Sequence, residues 1–467
     1  MRHTTPALLA ALALACQGSP GPGPDDVTGT RLVTWWQDDG TTLVLPDLPD
    51  GTTIAALVVE GSGWRRVEGS ITAEGHFTVP GVGPGAAYLE LRRPGAAVQY
   101  YELAARHMDL GYEAVGRPNL VSATQPTELD LALTGLEPWA PGHELAIYVP
   151  GARQVHFRGD TAAAAGATSV SLALSLQGRP LPAAGDRAFL VQSAARTTGG
   201  GTPYTVAVRL ADLALPEVAD GQVASAGAAL RSGPASGSTA LTVQAADYAA
   251  LAPAAEGLDV GTTAVRVMVF ASPHFPGAFP PVTLLRTGSG GVAGPSLDLG
   301  TLTWPRLLPA WFFETRYVEA SWTVRPSGLT AYFVVSAVRQ EPVEGAPATV
   351  GPGLGPVRSP RIAGRDALLA QTGVGLTPTL AWTAPALGTA TRYGVSLYDT
   401  TGGSLGFRAS VGTSATSFSF PAGVLEAGHT YLAILTASRE PAADPAAPER
   451  ETATQERAVA FTATFAP

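Results

Sequence analysis

Between residues 28 and 118 the apolar side chains never settle into the 3.6-residue spacing of a helix. They come as short alternating or continuous runs, at 32–36, 54–59, 67–71, 76–79, 88–91 and 98–103. Turn pairs separate them: Asp39-Gly40, Asp50-Gly51, Pro84-Gly85 and Pro94-Gly95. Runs this short can bury one face of a strand and little more, so a segment cut this finely predicts a small two-sheet sandwich. The same grammar continues to the last residue, carried by 54 glycines and 40 prolines in 467 residues. The expected fold class is all-β, a set of tandem antiparallel β-sandwich domains.

Residues 119–341 continue as strands. Leu129, Leu131 and Leu133 alternate with polar neighbours, and further runs stand at 145–149, 170–174, 189–192, 204–210, 265–270 and 332–338. Alternation means one buried face, whereas the unbroken run 265–270 predicts an inner strand. One short helix is expected over 245–251, and Gly199-Gly200-Gly201 reads as a loop. This middle region is one large domain or two smaller ones divided near Gly257. Residues 342–361 are rich in proline and glycine and read as a linker before a last sandwich over 362–467.

Two segments resemble known β modules. Gly75-His76-Phe77-Thr78-Val79-Pro80-Gly81, with Val82 to Gly85 and then Tyr88 and Leu91, is similar to the central hairpin of carboxypeptidase regulatory-like domains. That resemblance implies a prealbumin-like sandwich over 28–118 and no activity. Further on, Pro378, Leu380, Trp382 and Pro385 lead into Tyr393, Val395 and Leu397, then Leu425, Gly428, Tyr431 and Ala437. This stretch resembles a fibronectin type III domain. The resemblance implies a core Trp at 382 and a corner Tyr431, six residues after Leu425, whose hydroxyl bonds back to the backbone. Fold of this kind implies little about function.

The chain opens with Arg2 and His3, an apolar run over 7–15, and then its single cysteine, Cys16. This has the layout of an export signal, and the run is too short to cross a bilayer, which takes about 20 apolar residues. Ala15-Cys16 resembles the lipobox of bacterial lipoproteins, in which the signal (here 1–15) is removed and the cysteine receives a diacylglycerol. The alternative is an ordinary signal peptide with an incidental cysteine. Lipidation at Cys16 would leave no thiol for a disulfide or a metal, and the Gly/Pro tract over 16–27 would be a tether. The membrane would then be met through the anchor alone, with the protein facing the periplasm or the outside.

Charged residues make up 14% of the chain and the formal net charge is -9, which argues against nucleic acid as a partner. Basic residues are all Arg and Asn119 is the one Asn, a skew that weakens any inference from Arg over Lys.

Candidate chemistry is sparse. His107 with Asp109 and His143 with Glu144 come nearest to an acid/base or metal cluster, while His76, His156 and His274 each precede a Phe. None falls in a ligand spacing such as HExxH, and no Gly-x-Ser-x-Gly elbow occurs. Gly351-Pro352-Gly353-Leu354-Gly355-Pro356 is glycine-rich, but its prolines remove the amides a phosphate would need. Arg158-Gly159-Asp160 spells an adhesion tripeptide, which a chain rich in these residues produces by chance. Trp311-Phe312-Phe313, with Tyr317 and Trp322, could stack sugar rings or fill a core or domain junction. Trp35 and Trp36 are adjacent on a strand, so one is expected inside and the other outside.

These features name no catalytic, cofactor or metal residue. They point to a lipid-anchored cell-envelope scaffold that binds an unidentified protein or glycan. The alternatives are a carbohydrate-binding module, if Trp311, Trp322 or Trp35 lines an open groove, and an enzyme with a site in the middle region.

Overall fold

The computed structural model describes residues 23–467 apart from 39, 62, 200, 234, 262–263, 277, 279, 288–294, 307, 310, 347 and 451. The segment 1–15 expected to be an export signal, Cys16, the start of the expected tether, Asp39 and Gly200 lie outside the described residues. Within them the chain is all-β, and its buried side chains gather into four hydrophobic cores.

The first unit contains β1 (Val27–Thr30), β2 (Leu32–Trp36), β3 (Thr42–Pro46), β4 (Thr53–Glu60), β5 (Gly63–Glu68), β6 (Ser70–Ile71), β7 (His76–Val79), β8 (Ala86–Arg92), β9 (Val98–Glu102), β10 (His107–Asp109) and β11 (Tyr112–Val115). Its sandwich faces sheet β5-β4-β8-β9 with sheet β10-β1-β7-β6, and β11-β2-β3 forms a separate ribbon.

The second unit holds β12 (Glu128–Thr134), β13 (Glu144–Val149), β14 (Gln154–Arg158), β15 (Ser169–Ser175), β16 (Arg187–Thr197), β17 (Pro203–Ala214) and β18 (Val223–Ala229). Its sheets are β14-β13-β16-β17 and β15-β12-β18.

The third unit comprises β19 (Ala235–Val243), α1 (Ala245–Ala249), β20 (Leu258–Val260), β21 (Ala264–Pro273), β22 (Val282–Thr287), β23 (Leu297–Arg306), β24 (Phe312–Pro326), β25 (Phe333–Pro342) and β26 (Thr349–Val350). Sheet β22-β21-β24-β25 faces β23-β19-β26, and β20 adds to β24.

These three units share one topology. In each sandwich the first strand lies between a middle strand and the last, and it runs parallel to the last: β1 with β10, β12 with β18, β19 with β26. The fourth unit differs. It contains β27 (Arg358–Ile362), β28 (Arg365–Asp366), β29 (Thr379–Thr383), β30 (Arg392–Asp399), β31 (Gly406–Thr413), β32 (Ser417–Ser419), β33 (Tyr431–Arg439) and β34 (Gln455–Phe461). Its sheets are β28-β27-β29-β32 and β31-β30-β33-β34. Here Trp382 packs edge-on against Tyr393 at 5.5 Å, and the Tyr431 hydroxyl accepts from the Glu426 amide at 2.9 Å.

Edge strands join the units. β17 pairs β22, β25 pairs β34, and β31 pairs β9 in parallel, so one seventeen-stranded sheet passes through all four units. The order along it is second, third, fourth, first. Contacts between the first and second units close the circuit into a ring.

This wrapping explains which strands are buried on both faces. On β13, Leu145, Ile147 and Val149 enter the second core, while Ala146 and Tyr148 enter the third. On β33, Tyr431, Ala433 and Leu435 enter the fourth core and Leu432 and Ile434 the third. On β4, Ile54 and Ala56 enter the first and Leu57 the fourth. Continuous apolar runs therefore mark where one unit's sheet also walls its neighbour.

The run 265–270 lies on an inner strand, as its unbroken apolar pattern predicts; within it Val265, Val267 and Val269 are fully buried, and Arg266, Met268 and Phe270 lie on a half-exposed face. Two expectations are corrected. Gly257 falls inside a core that β19 has already opened, because Leu241 and Val243 pack with Val265 and Trp322. Residues 342–361 are pinned rather than free, since Val350 pairs with β19 and Leu354 and Val357 are buried in the fourth core.

Candidate functional site: an aromatic junction of three units

Several residues singled out one by one in the sequence meet in a single column. The Trp36 ring on β2 stacks on His274 at 5.4 Å, and His274 stacks on Trp311 at 4.3 Å with 10° between planes. Trp311 in turn stacks on Phe312 at 4.4 Å, and Phe312 meets Phe189 of β16 edge-on at 4.9 Å. The column crosses from the first unit through the third to the second.

Local backbone sets it up. His274 follows β21 with φ of 65°, and its amide donates to the Trp311 carbonyl at 2.9 Å. A non-glycine residue in the left-handed region is held there by its surroundings. The alternation of β2 turns Trp35 the other way, where it is buried beneath the Arg153 guanidinium at 4.8 Å, while Trp36 stays half-buried and reaches Glu113 through its indole N–H at 3.3 Å.

Beside the column, the first unit docks on the second, with no strand pairing among the described residues. At the tip of the β2–β3 hairpin, Asp38 Oδ2 accepts from the Arg187 amide at 2.9 Å, while Gln37 donates to the Gly116 carbonyl of its own unit at 3.0 Å. Arg117 donates to the Leu181 carbonyl at 2.8 Å and to Asp186 at 2.9 Å. The surfaces meet closely enough to need glycine: a Cβ at Gly151 would lie 2.6 Å from Asp186 Oδ1 and 2.8 Å from Asp38 Oδ2. Burial pushes the Asp38 carboxyl up to about 6, helped by the negative charge of Asp186 and opposed by the amide and the charge of Arg187 and by the Gly151 amide. Asp38 Oδ1 is buried without a hydrogen-bond partner.

No protein family and no curated protein matches this chain. Several solved structures are similar to this chain. A tetra-tandem repeat from the extending region of a large adhesion protein is 15% identical over 94% of this chain and 99% of its own, with a TM-score of 0.15. A candidate cell adhesion protein from Bacteroides eggerthii is 10% identical over 75% and 99%, and the FN1-FN3 domains of chicken CNTN1 are 8% identical over 74% and 98%, each again at 0.15. At that TM-score these likenesses carry no argument about arrangement or activity.

The remaining sequence candidates lie apart. His107 meets the Thr28 hydroxyl at 3.1 Å, while Asp109 is taken by Thr30, the Gly111 amide and Arg450. His143 is buried against Trp139 and Gln192, whereas Glu144 reaches across to Arg286. His156 is buried against Gln154, and burial with Arg179 and Arg158 nearby pushes its value down to about 4, which keeps it neutral at pH 7. His76 lies exposed on β7. Among the described residues no group of three or more His, Cys, Asp or Glu is placed to hold a metal ion.

Arg158 ends β14 half-buried, with its guanidinium on the Phe157 carbonyl at 3.2 Å, and Gly159 and Asp160 turn directly into a 3₁₀ turn. Gly353 is pressed against the Glu456 carboxylate and the Arg439 guanidinium that pairs with it. Trp322 is fully buried in the third core. Of the three tryptophans a sugar platform would use, two are therefore buried, and Trp311 has both faces occupied by His274 and Phe312. A groove of about 530 Å³ does open next to Phe312 and Phe313, but Pro305, Pro309 and Pro342 share its walls.

The sequence offered no sign of Asp38 or Asp186. Asp38 precedes an ordinary Asp-Gly turn signal, and only its contact across 149 residues with Arg187 gives it a role. His429, also passed over, bonds Asp399 at 2.7 Å with Glu426 at 3.6 Å, a surface cluster tied to Arg408.

Proposed function

We propose that this chain is a non-catalytic, lipid-anchored protein of a bacterial cell envelope that serves as a rigid interaction scaffold. Its export signal is 1–15, and a diacylglycerol on Cys16 holds it to the membrane. In this reading the first unit is a carboxypeptidase regulatory-like module and the fourth a fibronectin type III module. The strand order of the first and the Glu426–Tyr431 corner of the fourth support that reading. No cofactor takes part.

The observation that carries the reading is the aromatic column. The side chains best suited to stack a ligand are stacked on one another across three units, so they serve the assembly of the scaffold. The seam strands β17, β22, β25, β34, β9 and β31 are likewise engaged between units. Surfaces left for a protein or glycan partner include the outer edges β5 and β14 of the long sheet. A third is β3, which pairs with β2 alone among the described residues and leaves Leu43 and Val44 exposed.

Protease treatment of intact cells making the wild-type or the Cys16→Ser chain tests this. A surface scaffold is cell-bound, lipid-modified and shaved from outside, and the variant is released or left unprocessed. A protein that is protected and indifferent to Cys16 would end the anchor reading and reopen a soluble role, enzymatic ones included.

A further inference from the structure

We propose that the contact between the first and second units is an acid-tightened clasp worked by Asp38: a neutral Asp38 carboxyl sits comfortably in the junction, and an ionised one weakens it. The clasp operates whether or not the chain binds a partner.

The geometry leaves little else to hold this joint. The other three joints of the ring are made by paired strands, but here, among the described residues, a hairpin tip and the Arg117 side chain meet the second unit. Asp38 brings one carboxylate oxygen to the Arg187 amide and buries the other without a partner. Asp186 converges on the same point above Gly151, so two carboxylates crowd one glycine.

The cations nearby are already engaged. Arg117 bonds Asp186, the Arg187 guanidinium pairs with Asp212, and Arg153 lies over Trp35. Glu113 sits on the Trp36 indole and His274 on the Trp36 ring, and neither contributes a countercharge to Asp38. An ionised Asp38 is helped by the Arg187 and Gly151 amides and by the charge of Arg187, whose guanidinium pairs with Asp212, but burial and the like charge of Asp186 outweigh them.

The sign follows from the direction of the shift. The docked value of about 6 stands above the free value of 3.8. Below about pH 4 both docked and undocked forms hold the proton, and pH has no leverage. Between about 4 and 6 only the docked form holds it, so docking weakens as pH rises, and above 6 the loss is complete. Two units of separation set a ceiling on the order of 100-fold in the opening equilibrium.

Amide hydrogen exchange on the whole chain, corrected for the intrinsic rate at each pH, reads this directly at Arg187. Protection of that amide should fall by roughly 100-fold between pH 4 and pH 7 in the wild type and stay level in Asp38→Asn. A level wild type, or the same slope in the variant, overturns the clasp. So does a variant that loses protection equally at all pH values, since the carboxylate would then be a simple hydrogen-bond acceptor. Should the variant fail to fold, a carbon-13 titration of Asp38 in the wild type decides: a midpoint near 6 supports the clasp and one below 4.5 ends it.

Discussion

The third and fourth units meet around buried charge, and so do the first and second, but with opposite balance. Beside the third–fourth joint the wholly buried Arg316 pairs with Glu341 and meets Thr239 at 3.3 Å; Arg339 joins Glu341 at 3.1 Å and reaches Glu456 across the joint at 3.6 Å, and Arg439 pairs with Glu456. Strands β25 and β34 pair there, and Gln455 bonds Gln340 at 2.8 Å. Every buried carboxylate of that group has a guanidinium. At the first–second joint, among the described residues, Asp38 has no ion pair, no strand is shared, and the aromatic column links the two units only by way of the third. A compensated ionic joint resists change within the neutral range and fails as a unit; an uncompensated one is weak and can be tuned.

Breaking the balanced joint should have the larger effect. Arg316→Met takes from Glu341 its wholly buried partner and leaves Arg339 alone to balance it, and loss of one partner of a buried pair costs up to about 3–5 kcal/mol. Urea unfolding followed by far-UV dichroism would show it as a lowered midpoint. A change below about 1 kcal/mol would mean that the two joints do not differ in the way described.

Removing a ring from the column comes next. Trp311→Ala takes away two stacked faces, to His274 and Phe312, and the edge contact with Phe189 at 5.8 Å. Because Trp311 is half-buried, the expected loss is about 2–3 kcal/mol, below that of a fully buried tryptophan. The same measurement reads it, and a scattering curve should show the ring loosening. If Trp311→Ala were silent, the column would be ornament and the tryptophan free for a ligand.

How much of this was legible beforehand follows from the range of each signal. Alternation in Leu129, Leu131 and Leu133 marks a strand face because side-chain direction is set by the residue's own backbone, and β12 buries those three. The spacing of Leu425 and Tyr431 likewise encodes a local corner, and the bond is there. Which edge strands pair is set over hundreds of residues: Ala409 faces Val98, and nothing near either announces the other. The column shows both sides of this limit. Its aromatics stand out in the sequence, and a domain junction was one of the roles open to them, but their order in space comes from three separate turns. Asp38 could not be seen at all, since a carboxylate ahead of a turn glycine is ordinary until a second unit covers it.

The sign of the Asp38 effect separates the joints more sharply than its size. Asp38→Asn should stabilise the chain at pH 7.5, on the order of 2 kcal/mol, because burial holds the wild-type value near 6 and ionisation opposes folding above it. At pH 4 the two proteins should melt together. Thermal melts at the two pH values check this, and a variant destabilised at pH 7.5 would place Asp38 among ordinary hydrogen-bond acceptors.

The smallest expected effect probes the other face of β2. Arg153 covers Trp35 from a residue with φ of 52°, a conformation that disfavours any side chain. Arg153→Ala removes the cation over the ring, worth about 0.5–1 kcal/mol, and keeps the backbone penalty. Arg153→Gly removes both, so relief of the left-handed strain offsets the lost contact and the net change should be near zero. Alanine below glycine by several tenths of a kcal/mol in urea midpoints would show that the cation–ring contact is held against local strain. The first–second joint would then be assembled from small opposed terms, which is why one proton on Asp38 suffices to move it. Equal losses in both variants would mean that Arg153 contributes through its guanidinium alone and that the joint is stiffer than its missing strand pair implies.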